Sequence, residues 1–412
     1  MTVAPARIAL WFTARPQLPF SRVRLFGPSA EIALGKLVAD TGNSFHADIA
    51  MGAALTPGTY TVQWQTASAD GHPIRGEFNF EILGGAGVTT MRPPTPAHQH
   101  APTPDMHAEH SEYRWARWIE FVALLTVLGV LGFRHGVLPP LAARAVPTAD
   151  AADRARRLGQ STAGLYLLVA CIRLYTESVA VHGADHALDT AELLPMVTGT
   201  TWGLGWLLGA LGAIVLLVGW LTSKRSVTVG TPLALTGAMG MALSPALSGH
   251  AVASRHFVVS VTFDVIHVTA AGVWIGGLLI VLTAGVPAMR RLVDGNRDAA
   301  VSALVNSFHP IALFCAPLVV VAGVGSSWVR LGTFSALWTT LYGQTLLWKV
   351  ALFAVVASMG MYNAVRARRR LGAAEGTRHF RLTASIEVFF AALVIAATAA
   401  LVVTPVPTEM AP

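Results

Sequence analysis

The residues best suited to chemistry lie in one apolar stretch, 247–274, with the sequence LSGHAVASRHFVVSVTFDVIHVTAAGVW. Four polar residues in it are spaced four, four and three apart, so on an α-helix they share one stripe: His256, Ser260, Asp264 and His267. Imidazole and carboxylate groups bind metals. Ionisable groups inside hydrocarbon are costly and normally mark function. The alternative is an Asp264 to His267 hydrogen bond that only locks helices together.

Further candidate metal ligands precede this stripe: His250 just before it, and Met239 and Met241 on the preceding apolar segment. A thioether is a soft ligand for Cu(I), although methionine also fills gaps between helices. We expect His250, His256, Asp264 and His267 to form a metal path, in which Asp264 orients His267 through its second ring nitrogen.

The composition places these residues in a membrane protein. The chain has 412 residues, of which 53% are hydrophobic and 12% charged, and its mean hydropathy is +0.55. A soluble domain of this length is less apolar. The net charge of +7 comes from arginines between apolar segments, which indicates membrane topology and not a nucleic-acid partner. No phosphate-binding loop of the G-x-x-x-x-G-K-[ST] type occurs, and we expect the protein not to be an enzyme.

Eight apolar segments are each long enough to span the bilayer as a helix: 115–138, 159–181, 200–221, 231–249, 257–282, 308–329, 341–365 and 382–403. Arginine and lysine concentrate in every odd-to-even loop. Positively charged loops remain in the cytoplasm, so we expect both termini to lie outside. The predicted fold is a mainly α membrane protein, with an eight-helix transmembrane bundle in residues 113–407.

The first 83 residues differ from the rest, because short alternating segments are separated by Gly, Pro and Asn turns. This pattern predicts an all-β, Ig-like sandwich, here called the head. Its first residues, MTVAPARI, lack a signal peptide's apolar core and cleavage site. We therefore expect either a late start of this chain or a true start upstream. Residues 84–112 are rich in proline and histidine and are predicted to be a linker.

One short motif in the head, ADGHP, has metal-binding chemistry. Gly71 permits a tight turn that brings Asp70 and His72 towards one point. A carboxylate and an imidazole suit Cu(II) or Zn(II). A D-G-H sequence is also a common turn, and two ligands alone do not complete a site.

The segments PARIALWF and YTVQWQTASADGHPIRGEFNFEI resemble the periplasmic copper-binding CopC domain over about 80 residues. In that family an amino-terminal histidine joins the aspartate and histidine of the DGH segment as Cu(II) ligands. The resemblance thus assigns Asp70 and His72 as ligands. The first residues of this chain contain no histidine, and we expect weak Cu(II) binding by the head.

The segments LSGHA and HVTAAGVWIGGL, and the run from FHPIAL through LWTTLYGQTLLWK to MYN, resemble the CopD family of inner-membrane copper proteins. The two resemblances together imply a CopC and CopD fusion in the bacterial inner membrane, with copper as Cu(I) or Cu(II). The implied function is copper import or resistance. Expected partners are copper ions and the lipid bilayer, with periplasmic copper chaperones as a further candidate.

Two other functions fit the same residues. Histidines on different spans are suited to axial ligation of haem in an electron-transfer cytochrome, and a copper sensor or storage protein binds metal without moving it. A Soret band in the purified protein identifies the first. Copper flux in sealed vesicles separates transport from storage.

The arginine distribution makes the topology testable. A cysteine introduced next to Arg368 should be shielded from membrane-impermeant thiol reagents in intact cells, because the loop between the seventh and eighth spans is predicted to be cytoplasmic. A cysteine next to Asp189 should react. The reverse labelling pattern would overturn the predicted orientation.

Overall fold

The computed structural model describes residues 5–12, 16, 18, 21–40, 42, 45–52, 55–67, 73–83, 106–249, 251–252, 254, 256–292, 297–404 and 406. They divide into two compact units. The first contains the head together with residues 175–204, and the second contains most of the helical region.

The head consists of two antiparallel sheets, as predicted. Its strands are β1 (Arg7–Trp11), β2 (Arg22–Phe26), β3 (Glu31–Ile32), β4 (Leu34–Ala39), β5 (His46–Met51), β6 (Gly58–Ala67) and β7 (Pro73–Ile82). One sheet has the order β1-β5-β4, and the other has the order β3-β2-β6-β7.

Alternation along the strands supplies the core of the head. In β1 the side chains of Ile8 and Leu10 are buried and their neighbours are exposed, which is the two-residue period of a half-buried strand. They join a cluster that includes Leu25, Ile49 and Val62. Hydrophobic residues from both sheets therefore form one core, as in a β-sandwich.

The helical region contains α1 (Met106–Gly132), α2 (Leu138–Ala142), α3 (Ala149–His182), α4 (Thr190–Thr198), α5 (Thr201–Thr222), α6 (Val227–Leu247), α7 (Phe257–Ala271), α8 (Gly277–Ile280), α9 (Val286–Met289), α10 (Arg297–Leu331), α11 (Ala336–Thr339), α12 (Leu341–Tyr362) and α13 (Ala374–Val402). Single π-helical turns at Phe133–Val137, Gly272–Gly276, Val281–Gly285 and Asn363–Ala367 join some of these. Helix α1 begins at Met106, so the last residues of the predicted 84–112 linker are helical.

Eight of the helical stretches in the described part of the chain are long and apolar enough to cross a membrane, as the sequence predicts: Glu112–Ala142, Ala149–His182, Thr201–Thr222, Val227–Leu247, Phe257–Met289, Arg297–Leu331, Leu341–Arg370 and Ala374–Val402. Several extend beyond the apolar segments seen in the sequence, because charged turns at their ends remain helical. Helix α10, for example, begins 11 residues before the predicted start at 308.

Glycines allow two of these helices to touch backbone to backbone. A Cβ at Gly276 would overlap the carbonyl of Leu125, and one at Gly129 would overlap the backbone of Gly276. The first span and the π-helical turn of the fifth span therefore meet with no side chain between them. Close approach through small residues is a common means of helix association in membranes, where hydrophobic burial supplies little driving force.

This contact predicts a stability difference between two glycine substitutions. Gly276→Ala should lower the melting temperature of the detergent-solubilised protein, because inserting a methyl group into a filled interface costs roughly 1–3 kcal/mol. Gly164→Ala is the matched control, since nothing lies within 4 Å of its added Cβ. Equal melting temperatures for the two variants would contradict this packing.

Candidate functional site

The polar stripe predicted on the fifth span lies on helix α7 and at its start. His256 occupies the position before the first residue of the helix, with its side chain exposed and its backbone N–H donating to Ser254 Oγ at 3.1 Å. The backbone N–H of Ser260 donates to the His256 carbonyl at 2.9 Å, and the Ser260 side chain is buried. The stripe thus begins at an exposed imidazole and continues into the helix packing.

Asp264 pairs with helix α10. Its carboxylate accepts a hydrogen bond from Ser326 Oγ at 2.8 Å and forms an ion pair with the Arg330 guanidinium. Arg330 is in turn hydrogen-bonded to Tyr342, which is buried at the start of α12. Lys349, two turns further along α12, interacts electrostatically with both Asp264 and Arg330. One carboxylate therefore lies in a network with two cationic side chains, contributed by three helices.

His267 is held by a backbone carbonyl. Its Nδ1 lies 2.9 Å from Val319 O on α10. Since a carbonyl only accepts, Nδ1 carries the proton, and Nε2 of the neutral ring keeps its lone pair. No described residue bonds to Nε2. The α10 residue Gly323 lies against the ring, where an added Cβ would be 3.0 Å from Cε1.

This arrangement corrects the predicted Asp264 to His267 pairing. The two side chains are three residues apart on α7, but each is bonded to a different residue of α10, Asp264 to Ser326 and Arg330, and His267 to Val319. The His267 ring is therefore held through Nδ1 by a backbone carbonyl and not by a carboxylate. Metal-binding histidines use either kind of partner for this purpose.

The two methionines on α6 lie in different surroundings. Met241 is fully buried in the helical core, whereas the Met239 side chain is 51% exposed. Residues two apart on a helix point to widely separated directions, so the two thioethers do not face a common point. Cys315 is buried on α10 and Cys171 is exposed on α3.

Three of the predicted ligands, Asp70, His72 and His250, lie outside the described residues. Within the described ranges, no group of three or more His, Cys, Asp or Glu side chains is arranged to hold a metal ion. His46 of the head has both ring nitrogens directed at carboxylates, with Nδ1 at 2.9 Å from Asp40 and Nε2 at 3.3 Å from Asp48. The Trp11 ring stacks on this imidazole, so His46 serves the packing of the head.

A second ionic network is buried in the first two spans. Glu120 accepts hydrogen bonds from Arg117 at 2.9 Å and from Arg173 of α3 at 2.6 Å, and all three side chains are almost fully buried. Glu120 and Arg173 lie inside the apolar segments 115–138 and 159–181, so the sequence alone marks them as ionisable residues within spans. Arg117 is missed, although the three-residue spacing in RWIE places it on the Glu120 face.

Within the first unit, the head contacts the segment 175–204. The Gln65 side-chain amide donates to the Ala180 carbonyl at 2.9 Å, and Arg22 donates to the His182 carbonyl at 3.4 Å. The His182 ring lies 3.6 Å from Glu192. Side chains of strands β2 and β6 therefore bond to backbone carbonyls at the end of helix α3.

The residues missed by the sequence analysis in the Asp264 network are Ser326, Arg330 and Tyr342. Ser326 and Arg330 are four residues apart on α10, which places them on one helix face. That spacing is visible in the sequence. Their partner on α7 is 62 to 66 residues away, and no local pattern identifies it.

Comparisons with known proteins agree with the two-part organisation. Residues 1–83 match the CopC domain, residues 110–257 match the copper resistance protein D-like N-terminal domain, and residues 302–401 match copper resistance protein D.

Two relatives and one solved structure are similar to this chain. The copper transport protein CutJ of Bacillus subtilis is 23% identical over 379 residues, which cover 90% of this chain and 66% of CutJ. Protein YobA of Escherichia coli is 31% identical over 83 residues, or 20% of this chain and 67% of YobA. The copper resistance protein PcoC of Escherichia coli has 28% identity and a TM-score of 0.18, over 20% of this chain and 86% of PcoC.

These matches follow one another along the chain without overlap, and the first covers the head while the other two lie in the helical region. The chain belongs to the CopC/CopD family of copper resistance and copper transport proteins, as a fusion of a CopC domain with a CopD-type membrane domain.

Proposed function

We propose that this protein moves copper across the bacterial inner membrane, from the periplasm to the cytoplasm. The observation that carries the proposal is the setting of His267, whose Nδ1 donates to Val319 O while Nε2 has no partner among the described residues. An imidazole held in this tautomer by a carbonyl is prepared to bind a metal through Nε2. Copper is the transported substrate.

The proposed path begins on the periplasmic side. The head, through Asp70 and His72, receives copper, and His250 and His256 pass it to His267. His256 fits this role because its side chain is exposed just before the first turn of α7, three turns from His267. Met239 and Met241 are further candidate contacts for copper. Since their side chains diverge, each would act with other groups and not as a pair.

In this proposal Asp264 positions other groups and does not bind copper directly. Its carboxylate is already paired with Arg330, so a copper ion would have to displace a guanidinium to bind there. We assign the pair to holding α7 against α10 one turn from His267. The Asp264–Arg330 pair then fixes the position of the His267 imidazole and places charged groups next to the copper path.

The localisation belongs to the same proposal. Eight spans give a multi-pass membrane protein, and the arginine-rich loops after the odd spans support cytoplasmic placement of those loops. Both termini and the head then lie in the periplasm, where periplasmic copper chaperones are candidate donors.

Removing the His267 ligand tests the path. In sealed vesicles containing purified protein, His267→Ala should reduce copper uptake to the level of protein-free vesicles, because no neighbouring group replaces the lost nitrogen. His135→Ala is the control, since that histidine is exposed at the far end of the first span. Both variants should elute as folded protein with normal yield. Normal uptake by folded His267→Ala protein would show that the path lies elsewhere.

The same vesicle preparation separates the alternative functions. A Soret band in the purified protein without bound copper would identify a haem protein. Stoichiometric copper binding without uptake by the wild-type protein would identify storage or sensing.

The Asp264–Arg330 pair predicts a pattern of single and double substitutions. Asp264→Asn should destabilise the protein by roughly 3–5 kcal/mol, because it leaves the Arg330 charge unpaired in the bundle. Adding Arg330→Gln should restore part of the melting temperature, because the double variant no longer carries the unpaired Arg330 charge and leaves Lys349 as the one cation of this network. A double variant no more stable than Asp264→Asn alone would contradict the role assigned to the pair.

A further inference from the structure

A buried carboxyl group that the copper path does not use lies in the last span. Glu387 of α13 is 2% exposed. It faces α12 at the point where that helix passes into the π-helical turn Asn363–Ala367. Isolated π-helical turns occur frequently at functional sites.

The only hydrogen-bond partner of Glu387 among the described residues is a neutral amide. Asn363 Nδ2 donates to Glu387 Oε2 at 2.7 Å. The orientation of this amide is fixed from its other side, because Thr383 Oγ1 donates to Asn363 Oδ1 at 2.5 Å. An ionised carboxylate in hydrocarbon requires a cation or several donors. One amide satisfies only part of that requirement, so this setting favours the neutral carboxylic acid.

The second carboxyl oxygen has space for a proton. A Cβ built on Gly360 would lie 3.1 Å from Glu387 Oε1 and 3.4 Å from the ring of Trp274. The missing side chain at Gly360 therefore leaves space next to Oε1. In the described part of the chain no donor contacts this oxygen.

A line of polar groups leads from Glu387 to one end of the bundle. Glu387, Thr383 and His379 follow at four-residue intervals on α13, so they lie on one face. The Tyr362 hydroxyl is 2.9 Å from His379 Nε2, and Tyr362 is adjacent to Asn363. Each turn between the buried carboxyl and the half-buried His379 thus carries a polar side chain.

The charged and titratable groups on the elements packed against α13 are not bonded to Glu387. On α13 itself they are Glu375, Arg378, His379 and Arg381; on α12, Tyr342, Lys349 and Tyr362; on the turns after α12, Arg366, Arg368, Arg369 and Arg370; on α10, Arg297, Asp298, His309, Cys315 and Arg330. Helix α1 also reaches α13, because Trp118 donates to the Ala392 carbonyl, and from residue 112 onward it carries Glu112, Tyr113, Arg114, Arg117 and Glu120. Asp298 is bonded to Thr377, and Lys349 belongs to the Asp264 network. Glu387 thus has no charged partner within the described ranges.

We infer that Glu387 is a proton-binding site. Its proton is exchanged with the side of the membrane at which α13 begins, along the helix face that carries Thr383 and His379. The proton binds to Oε1 of the carboxylate and leaves from it, with no change in oxidation state. Under the proposed function, this site couples copper movement to proton movement. Proton binding itself does not depend on that function.

Proton binding is tested by infrared difference spectroscopy of the purified full-length protein, taken in steps across the pH range. The wild-type protein should show the carbonyl band of a buried carboxylic acid that is lost as the pH rises. Glu387→Gln should abolish this band, and Glu375→Gln is the matched control because Glu375 is exposed at the start of the same helix. His379→Ala should retain the band and slow its exchange. No titrating band in the wild-type protein, or a band that survives in Glu387→Gln, would overturn the proton site.

Coupling is tested in vesicles that enclose a pH-sensitive dye. Copper addition should change the internal pH in the wild-type protein and in Glu375→Gln, whereas Glu387→Gln should give the signal of protein-free vesicles. Copper uptake by Glu387→Gln should no longer respond to an imposed pH gradient. A response to a sodium gradient that is lost in Glu387→Gln would overturn the assignment to protons.

The two measurements distinguish failure of the inference from failure of the proposed function. Loss of the infrared band in Glu387→Gln, combined with no copper uptake by the wild-type protein, would support the proton site and reject transport. Copper uptake with an unchanged dye response in Glu387→Gln would support transport and reject coupling through Glu387.

Discussion

Hydrocarbon supplies no hydrogen bonds, so every polar group inside the eight spans must find its partner within the protein. The described structure meets this constraint in three separate ways. Glu120 is shared between two arginines. Asp264 is paired with Arg330 and Ser326. Glu387 has only the Asn363 amide. The first two carboxylates have cationic partners and the third does not, which sets Glu387 apart chemically.

The backbone packing follows from the same constraint. Helices that must share polar partners across an interface have to approach closely, and glycine permits this. Gly323 allows α10 to lie against the His267 ring, and Gly360 leaves space for Glu387 Oε1. Both glycines are next to polar groups rather than in a purely apolar seam. A Cβ at position 323 would lie 3.0 Å from the His267 ring and one at position 360 would lie 3.1 Å from Glu387 Oε1. Both are closer than ordinary van der Waals contact, so a side chain at either position would press on these polar groups.

The architecture could be predicted from the sequence because its signals are local. Eight apolar segments and a region of alternating short strands are each visible within a few tens of residues. The polar residues of the spans were also visible, but most of their partners were not. The Asp264 stripe on α7 suggested a bond to His267, three residues away. The structure shows instead that each group turns towards α10, more than 50 residues along the chain.

Two further features could not be predicted from neighbouring residues in the sequence. Met239 and Met241 are close in sequence, yet helical geometry separates their side chains into an exposed and a buried position. Lys349 and Glu387 are both ionisable residues of the last two spans, yet they belong to different networks. Lys349 interacts with the Asp264 pair, and Glu387 is bonded to Asn363. Sequence spacing predicts which residues share a helix face, but helix packing decides which faces meet.

The separation of the two networks has a mechanistic consequence. His267 and the Asp264 pair lie between α7 and α10, whereas Glu387 lies between α12 and α13. Trp274 follows His267 on the fifth span and lies near Gly360, next to the Glu387 carboxyl. In the proposed mechanism, a change in charge at Glu387 acts on this aromatic contact, and copper bound at His267 acts on the same span about two turns away. The coupling proposed above therefore needs no ligand shared by copper and the proton, only a fifth span whose position responds to both sites.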